Sequence, residues 1–477
     1  MVEFFNQQGA QFPHNSLIKL ANCTQIVYKG NCLQFICTLR QQKNERFISD
    51  TVYFFSSSNR GKYSRCRRCC GPRGHLTNPP HNSLLTPNQT KIGKQDMQQQ
   101  YKSILIYGFA IFAMFFGSGN LVFPLQIGFA AGDGWVMGFV GLLLTGILLP
   151  LMGLFVIKLY QGNYHAFFGS AGKLAGILLP LIMLSLLGSF GVVPRCITVA
   201  YGSLSYLMPQ IKLMPFSLLF CFITFVFCLN DKMMIKILGK WMSPILLITL
   251  ILMIVIAAIK APSPETTVLA KTAFMNGFTT GYQTMDLFAA FFFSALIFTQ
   301  IQQQLPSATN REILLFAIKP SILGASLLAL IYFGFVFLGS HYTSLLKNTS
   351  PELMLPSIAS QAMGTYATLF IGIAMFFSCL TTAVALNNLY ARYLCSLLKI
   401  KEDKFYILLL ITTGVSFVIS LLDFKGIAAF LSPILELTYP GVIALTVMAI
   451  LLKERHFLKK TVFYMMTFFM CVPMAIH

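Results

Sequence analysis

Gly117-Ser118-Gly119-Asn120-Leu121-Val122-Phe123-Pro124 stands inside an apolar run that otherwise reads as one membrane helix from 103 to 131. A helix in hydrocarbon must satisfy its own backbone, so a Gly-rich and Pro-rich interruption at mid-depth exposes N–H and C=O groups that need partners. Two glycines flanking a serine favour an unwound turn, and Asn120 adds a side-chain oxygen able to ligate a cation. The half-helix that follows would aim its free N–H groups, at the positive end of its dipole, toward a carboxylate. The competing reading is a stripe of small residues that lets a neighbouring helix approach. Gly and Asn together, followed by a helix-starting proline, favour binding.

The rest of the chain supplies the membrane. Of 477 residues, 56% are apolar and only 10% charged, and the mean hydropathy is +0.70, whereas an ordinary soluble domain carries roughly 25% charged residues. Soluble enzymes and nucleic-acid binders are excluded as whole-chain readings despite a net charge of +20. Apolar runs predict eleven spans, near 103 to 131, 135 to 160, 173 to 207, 215 to 230, 237 to 260, 278 to 300, 313 to 340, 357 to 392, 404 to 423, 427 to 452 and 461 to 476. With the N-terminus in the cytoplasm, the inner gaps hold fourteen Lys and Arg, among them Lys158, Lys232, Arg392 and Lys459, against five in the outer gaps. That is the positive-inside bias. Eleven is an odd count, and both a natural short form and the loss of a twelfth helix fit a chain whose last span ends at His477.

Residues 1 to 96 read as a separate, basic and disordered extension. Residues 1 to 100 carry 13 Lys and Arg, four acids and six of the 12 Cys, with no apolar run of spanning length. Cys66, Cys69, Cys70, His75 and His81 offer thiolates and imidazoles for a zinc shell, but one Cys pair with two distant His is a poor tetrahedral set. A disordered extension, or an initiation codon assigned too early with the start at Met97, is the preferred reading, since the membrane pattern begins six residues later. The other six Cys, such as Cys196 and Cys379, read as packing residues.

The sixth span opens with a second blemish: Asn276, Gly277, Phe278, then Gly281, Tyr282, Gln283, Thr284, Met285 and Asp286. Broken first and sixth helices predict a five-plus-five inverted repeat, about 101 to 260 and 273 to 452, with an extra helix at 461 to 476. In the eighth span, the Ser378 carbonyl and the hydroxyls of Thr381 and Thr382 share a helix face and suit a hard cation, although Ser and Thr in membrane helices mostly bond back to their own backbone. Four charges lie within spans: Arg195, Asp286, Lys319 and Glu436. Each must face protein or water. Asp286 is the candidate for a substrate ammonium or a proton, Arg195 for an internal partner or gate, and Lys319 can snorkel; a structural ion pair or hydrogen bond is the alternative for all four. No span carries any of the seven His, and no Gly-Lys-Ser or Gly-Lys-Thr loop exists to bind ATP. Cofactors, a transition-metal site and an enzyme activity are not expected; an ion-driven carrier is.

With these segments together, the chain resembles the branched-chain amino acid:cation symporter family, a bacterial group with the leucine-transporter-type fold. The resemblance rests on Gly117 to Pro124 continuing to Gly132, Pro194-Arg195 with Thr198-Val199, Gly281-Tyr282 with Thr284 to Leu287, Cys379 to Ala383, and Tyr439-Pro440. It covers about 101 to 452 and nothing before Met97. It implies import of leucine, isoleucine or valine with sodium or a proton, by alternating access, in a bacterial cytoplasmic membrane. It further implies a cation site from the backbone of Ala113 and Phe116 with Ser378, Thr381 and Thr382. The substrate would meet Gly117, Ser118, Gly119 and Asn120 through its carboxylate and rest its apolar side chain near Tyr282, Met285 and Phe288, beside Asp286. A proton-coupled carrier of another amino acid is the alternative in the same fold. A channel lacks its polar stripe, and a non-transporting sensor lacks its output domain.

Overall fold

The computed structural model describes residues 23–29, 32–38, 42–43, 46–47, 52–56, 87–229, 243–304, 309–452 and 455–476, in two compact units, Met1–Leu85 and Thr86–His477. In the first unit, Cys23–Lys29 (β1), Cys32–Thr38 (β2) and Val52–Ser56 (β5) form an antiparallel sheet in the order β1-β2-β5, while Gln42–Lys43 (β3) pairs with Arg46–Phe47 (β4). These strands lie where the sequence reading expects a disordered extension; their β-branched and aromatic residues come in runs too short to give a periodic signal. Cys66, Cys69, Cys70, His75 and His81 lie outside the described residues.

The described residues of the second unit are helical, and its first element, Pro87–Phe115 (α1), runs through Met97. Then follow Ser118–Ala131 (α2), Trp135–Leu142 (α3), a π turn at Leu143–Leu148, Leu149–Leu159 (α4), Tyr164–Gly169 (α5), Lys173–Leu187 (α6), Val192–Ser205 (α7) and Leu213–Cys228 (α8). Ser243–Ile259 (α9), Ala270–Tyr282 (α10), Asp286–Gln304 (α11), Asn310–His341 (α12), Thr343–Leu346 (α13) and Met354–Met363 (α14) come next. Thr365–Leu397 (α15), Phe405–Ser420 (α16), Asp423–Leu451 (α17) and His456–Ile476 (α18) complete the chain. Among the described residues, five helical stretches are long and apolar enough to cross a bilayer, and α10 with α11, bent by 44°, makes a sixth. Shorter apolar helices lie at Tyr101–Phe115, Leu213–Cys228, Pro244–Ile259 and Phe405–Ser420. The outer faces are apolar, as at Leu218, Phe222 and Ile248, which suits contact with lipid rather than water.

The breaks fall close to where the residues predict them, with corrections. Asn276 and Gly277 sit inside α10, and the sixth span opens later, at Gln283, Thr284 and Met285, where Met285 takes a φ of 60°. Gly277 has a packing task instead: a Cβ there would lie 2.0 Å from the Gly138 carbonyl oxygen, so α10 and α3 touch backbone to backbone. The expected eighth span divides at Gly364, φ 82°, into α14 and α15. A further interruption, Gly188-Ser189-Phe190-Gly191, separates α6 from α7. Two basic residues counted as cytoplasmic gap charges are buried: Lys158 donates to the Ala317 carbonyl at 2.8 Å and to the Ser321 hydroxyl, and Lys459 to the Tyr160 hydroxyl at 3.0 Å.

Packing repeats between the halves. The first span (α1, α2) lies along α12 of the seventh, and the sixth (α11, α10) lies along α4 and α3 of the second. That exchange is what an inverted repeat requires. Because α10 and α3 meet through Gly277, Gly277→Val is expected to cost about 3 kcal/mol, the upper end of what overpacking costs, read as a lowered unfolding temperature in detergent; an unchanged melting curve would refute the contact.

Candidate functional site

The helical ladder of α1 ends at Phe116, whose N–H still reaches the Phe112 carbonyl at 2.9 Å. The next amide, Gly117, turns away to the Asn120 side-chain oxygen at 3.4 Å, and the first-turn amides of α2 have no intrahelical acceptor. Gly117 must be glycine because a Cβ would come within 2.8 Å of Thr382 Cγ2. That approach lets α15 reach the loose end of α1. The Ser378 hydroxyl donates to the Phe116 carbonyl at 2.7 Å and the Thr382 hydroxyl to the same oxygen at 3.4 Å. Three uncharged oxygens therefore meet at one point.

Thr381 takes the other side of Ser378. Its hydroxyl donates to the Ser378 carbonyl at 2.8 Å, one turn back in its own helix, and with Ala113 and Ser378 it lines a cavity of about 270 Å3 between α1, α9 and α15. The five residues expected around a cation thus fall into two groups that share Ser378: Phe116 with Thr382, and Ala113 with Thr381.

Asp286, the first residue of α11, is 3% exposed. Its Oδ2 accepts from Asn120 Nδ2 at 2.9 Å and from the Tyr332 hydroxyl at 2.9 Å, and Asn120 also donates to Tyr332. Neither partner is charged. Two neutral hydrogen bonds and the positive end of a half-helix compensate part of the desolvation of a buried carboxylate, so the position favours the arrival of a cation. The cluster ties together the first, sixth and seventh spans. Tyr332 was not singled out from the sequence; its one signal is a hydroxyl set alone in the apolar run from Leu327 to Leu338.

A small central cavity of about 10 Å3 is lined by Gly117, Asn120, Thr284, Met285, Asp286 and Thr382, among others. It has room for about one water, so the breaks must part before an amino acid enters. Of the expected substrate residues, Gly117, Asn120, Met285 and Asp286 face this cavity. Ser118 is fully buried beside it, its hydroxyl 3.5 Å from Cys196 Sγ, and Gly119 lies against Thr284, a Cβ there meeting the Thr284 Cα at 3.4 Å. Phe288 and Tyr282 turn elsewhere: their rings pack on Tyr439, with centroids at 4.6 and 4.7 Å. For Phe288 the reason is helical phase, since it lies about 200° from Asp286 around α11.

Arg195, 1% exposed, donates to the Gln283 carbonyl at 2.7 Å and to its side-chain oxygen at 3.1 Å, and lies over the rings of Phe123 and Phe424 at 5.1 and 5.8 Å. Gln283 donates on to Ser432, which donates to Glu436 at 2.9 Å. Arg195 thus holds the broken end of α10 to α7, the internal-partner role its burial demands. Lys319 is exposed.

Comparisons with known proteins identify the family and the fold. A family profile described as "Branched-chain amino acid transport protein" matches residues 100–477. The branched-chain amino acid permease BraB of Bacillus subtilis is 30% identical over 369 residues, covering 74% of this chain and 82% of BraB. The permease BrnQ of Corynebacterium glutamicum is 26% identical over 353 residues, covering 73% and 81%. Among solved structures, a manganese transporter of Eremococcus coleocola superposes with a TM-score of 0.56 at 14% identity over 78% of this chain and 87% of that one. MhsT, solved in complex with L-phenylalanine, gives 0.52 at 14% identity over 77% and 97%. These likenesses show a shared leucine-transporter-type fold. The chain is a multi-pass membrane protein and a transporter, not an enzyme, and it belongs to the branched-chain amino acid transport protein family.

Proposed function

We propose that the chain imports leucine, isoleucine and valine by symport with sodium across a bacterial cytoplasmic membrane, with its N-terminus inside. The observation that carries the coupling is the meeting of the Phe116 carbonyl with the hydroxyls of Ser378 and Thr382 at the end of α1. Uncharged oxygens in a small cluster suit a hard monovalent cation, and a cation there would draw α15 onto the loose end of the first span. The substrate carboxylate would use the free amides of Ser118 and Gly119, and its ammonium group would face Asp286. Because the central cavity is closed down to about 10 Å3, loading and release require the two breaks to separate, first on one side and then on the other.

Asp286 favours a second reading, proton coupling: its buried carboxylate has only neutral partners. Uptake of labelled leucine, isoleucine and valine into proteoliposomes separates the two. Accumulation driven by an imposed sodium gradient, with no pH gradient, is the expected result. Accumulation that follows a pH gradient in the absence of sodium would replace sodium by the proton, and no uptake of any of the three would end the substrate assignment. Among the three substrates, discrimination should stay within about 1 to 3 kcal/mol, the worth of one methylene in an apolar pocket.

A further inference from the structure

Two buried polar groups beside the break of the sixth span have no protein partner: the Nε–H of Arg195 and the hydroxyl of Tyr439. Both residues are 1% exposed. Arg195 grips the Gln283 carbonyl and touches Met285 Sδ at 4.0 Å. The Tyr439 ring contacts those of Tyr282 and Phe288, on either side of that same break.

Two buried polar groups, one of them on a fixed positive charge, therefore stand beside one break without a hydrogen-bond partner. Buried donors are rarely left so, because an unmade hydrogen bond is costly. A carboxylate answers the arrangement: it is acceptor-only when ionised, with two oxygens and about four lone-pair sites. The opposite pole is Asp286, the first residue of α11 after the same break, held by neutral Asn120 and Tyr332. Positive and negative poles at one break match the head group of a zwitterion.

We infer that Arg195 and Tyr439 read the carboxylate of the substrate, so that the carrier selects free, zwitterionic amino acids over their amides. The inference rests on the site being an amino-acid site and adds side-chain contacts to those of the Ser118 and Gly119 amides. Tyr439→Phe tests it, since the change keeps the ring that packs on Tyr282 and Phe288 and removes only the hydroxyl. Binding of leucine and of leucinamide to the purified, sodium-loaded carrier is measured side by side, with Arg195→Lys as a second variant. Wild type should prefer leucine. Tyr439→Phe should weaken leucine by about 10-fold, the effect of losing a hydrogen bond to a charged group, and leave leucinamide unchanged. Arg195→Lys should shift the same ratio in the same direction. Leucine binding unaffected by Tyr439→Phe, or leucine and leucinamide weakened equally, overturns the inference. A wild type that binds leucine and leucinamide equally overturns it too, while a wild type that binds neither removes the amino-acid reading beneath it.

Discussion

Leucine uptake by a Thr381→Val, Thr382→Val double variant is expected to lose its dependence on sodium. Valine preserves the branched shape of each side chain and removes only the hydroxyl, so helix α15 keeps its packing against α7. What is lost is chemistry. Thr382 brings its oxygen to the Phe116 carbonyl and Thr381 brings its own to the Ser378 carbonyl. Two oxygen contacts to a cation, each worth about 1.5 to 3 kcal/mol as charge-assisted interactions, together set sodium affinity by at least about 100-fold. The check is uptake as a function of sodium at fixed leucine, with an unfolding curve as the control for integrity. A sodium half-saturation equal to that of the wild type, in well-folded protein, would remove this end of the first span as the coupling site.

Asp286→Asn should be nearly as severe and different in kind. The side chain keeps its size and one oxygen for the Asn120 amide and the Tyr332 hydroxyl, so the three spans joined by this cluster stay joined. The negative charge is gone, and with it the attraction for the ammonium group. Leucine uptake at low substrate should fall by about 10- to 100-fold, the worth of one hydrogen bond to a charged group, with the loss in apparent affinity for leucine rather than for sodium. If leucine affinity is preserved while the response to pH disappears, Asp286 is carrying a proton and not facing the substrate. The paired readout decides between the two.

Much of the architecture was legible because hydrocarbon punishes an unpaired backbone. Gly117 to Asn120 had to break a helix, and Gly281 to Asp286 announced the second break, although its position moved to Gln283 through Met285. The third interruption, Gly188 to Gly191, carried the same signal and passed unread inside a long apolar run. That Ser378 and Thr382 share one helix face was readable from their spacing, although the Ser378 hydroxyl, and not its carbonyl as expected, is what reaches Phe116. Bonding back to the helix was the alternative open to every hydroxyl of this span; that Thr381 takes it, and Thr382 does not, depends on what the neighbouring span presents.

By itself the sequence determined that this chain lives in a membrane, that its first and sixth spans are broken, and that hardly any charge could be spent inside it. These follow from composition and from local backbone chemistry, which do not depend on where the helices end up. Only the tertiary structure decided which side chains work together. Asn120, Asp286 and Tyr332 come from three spans and meet at one carboxylate oxygen. Arg195 and Tyr439 stand at the same break with donors to spare, while Phe288, two residues after Asp286, turns away. Those meetings depend on helix phase and on backbone contacts such as Gly277 against Gly138, and a rotation or shift of one helix by a single residue would replace every partner in the site.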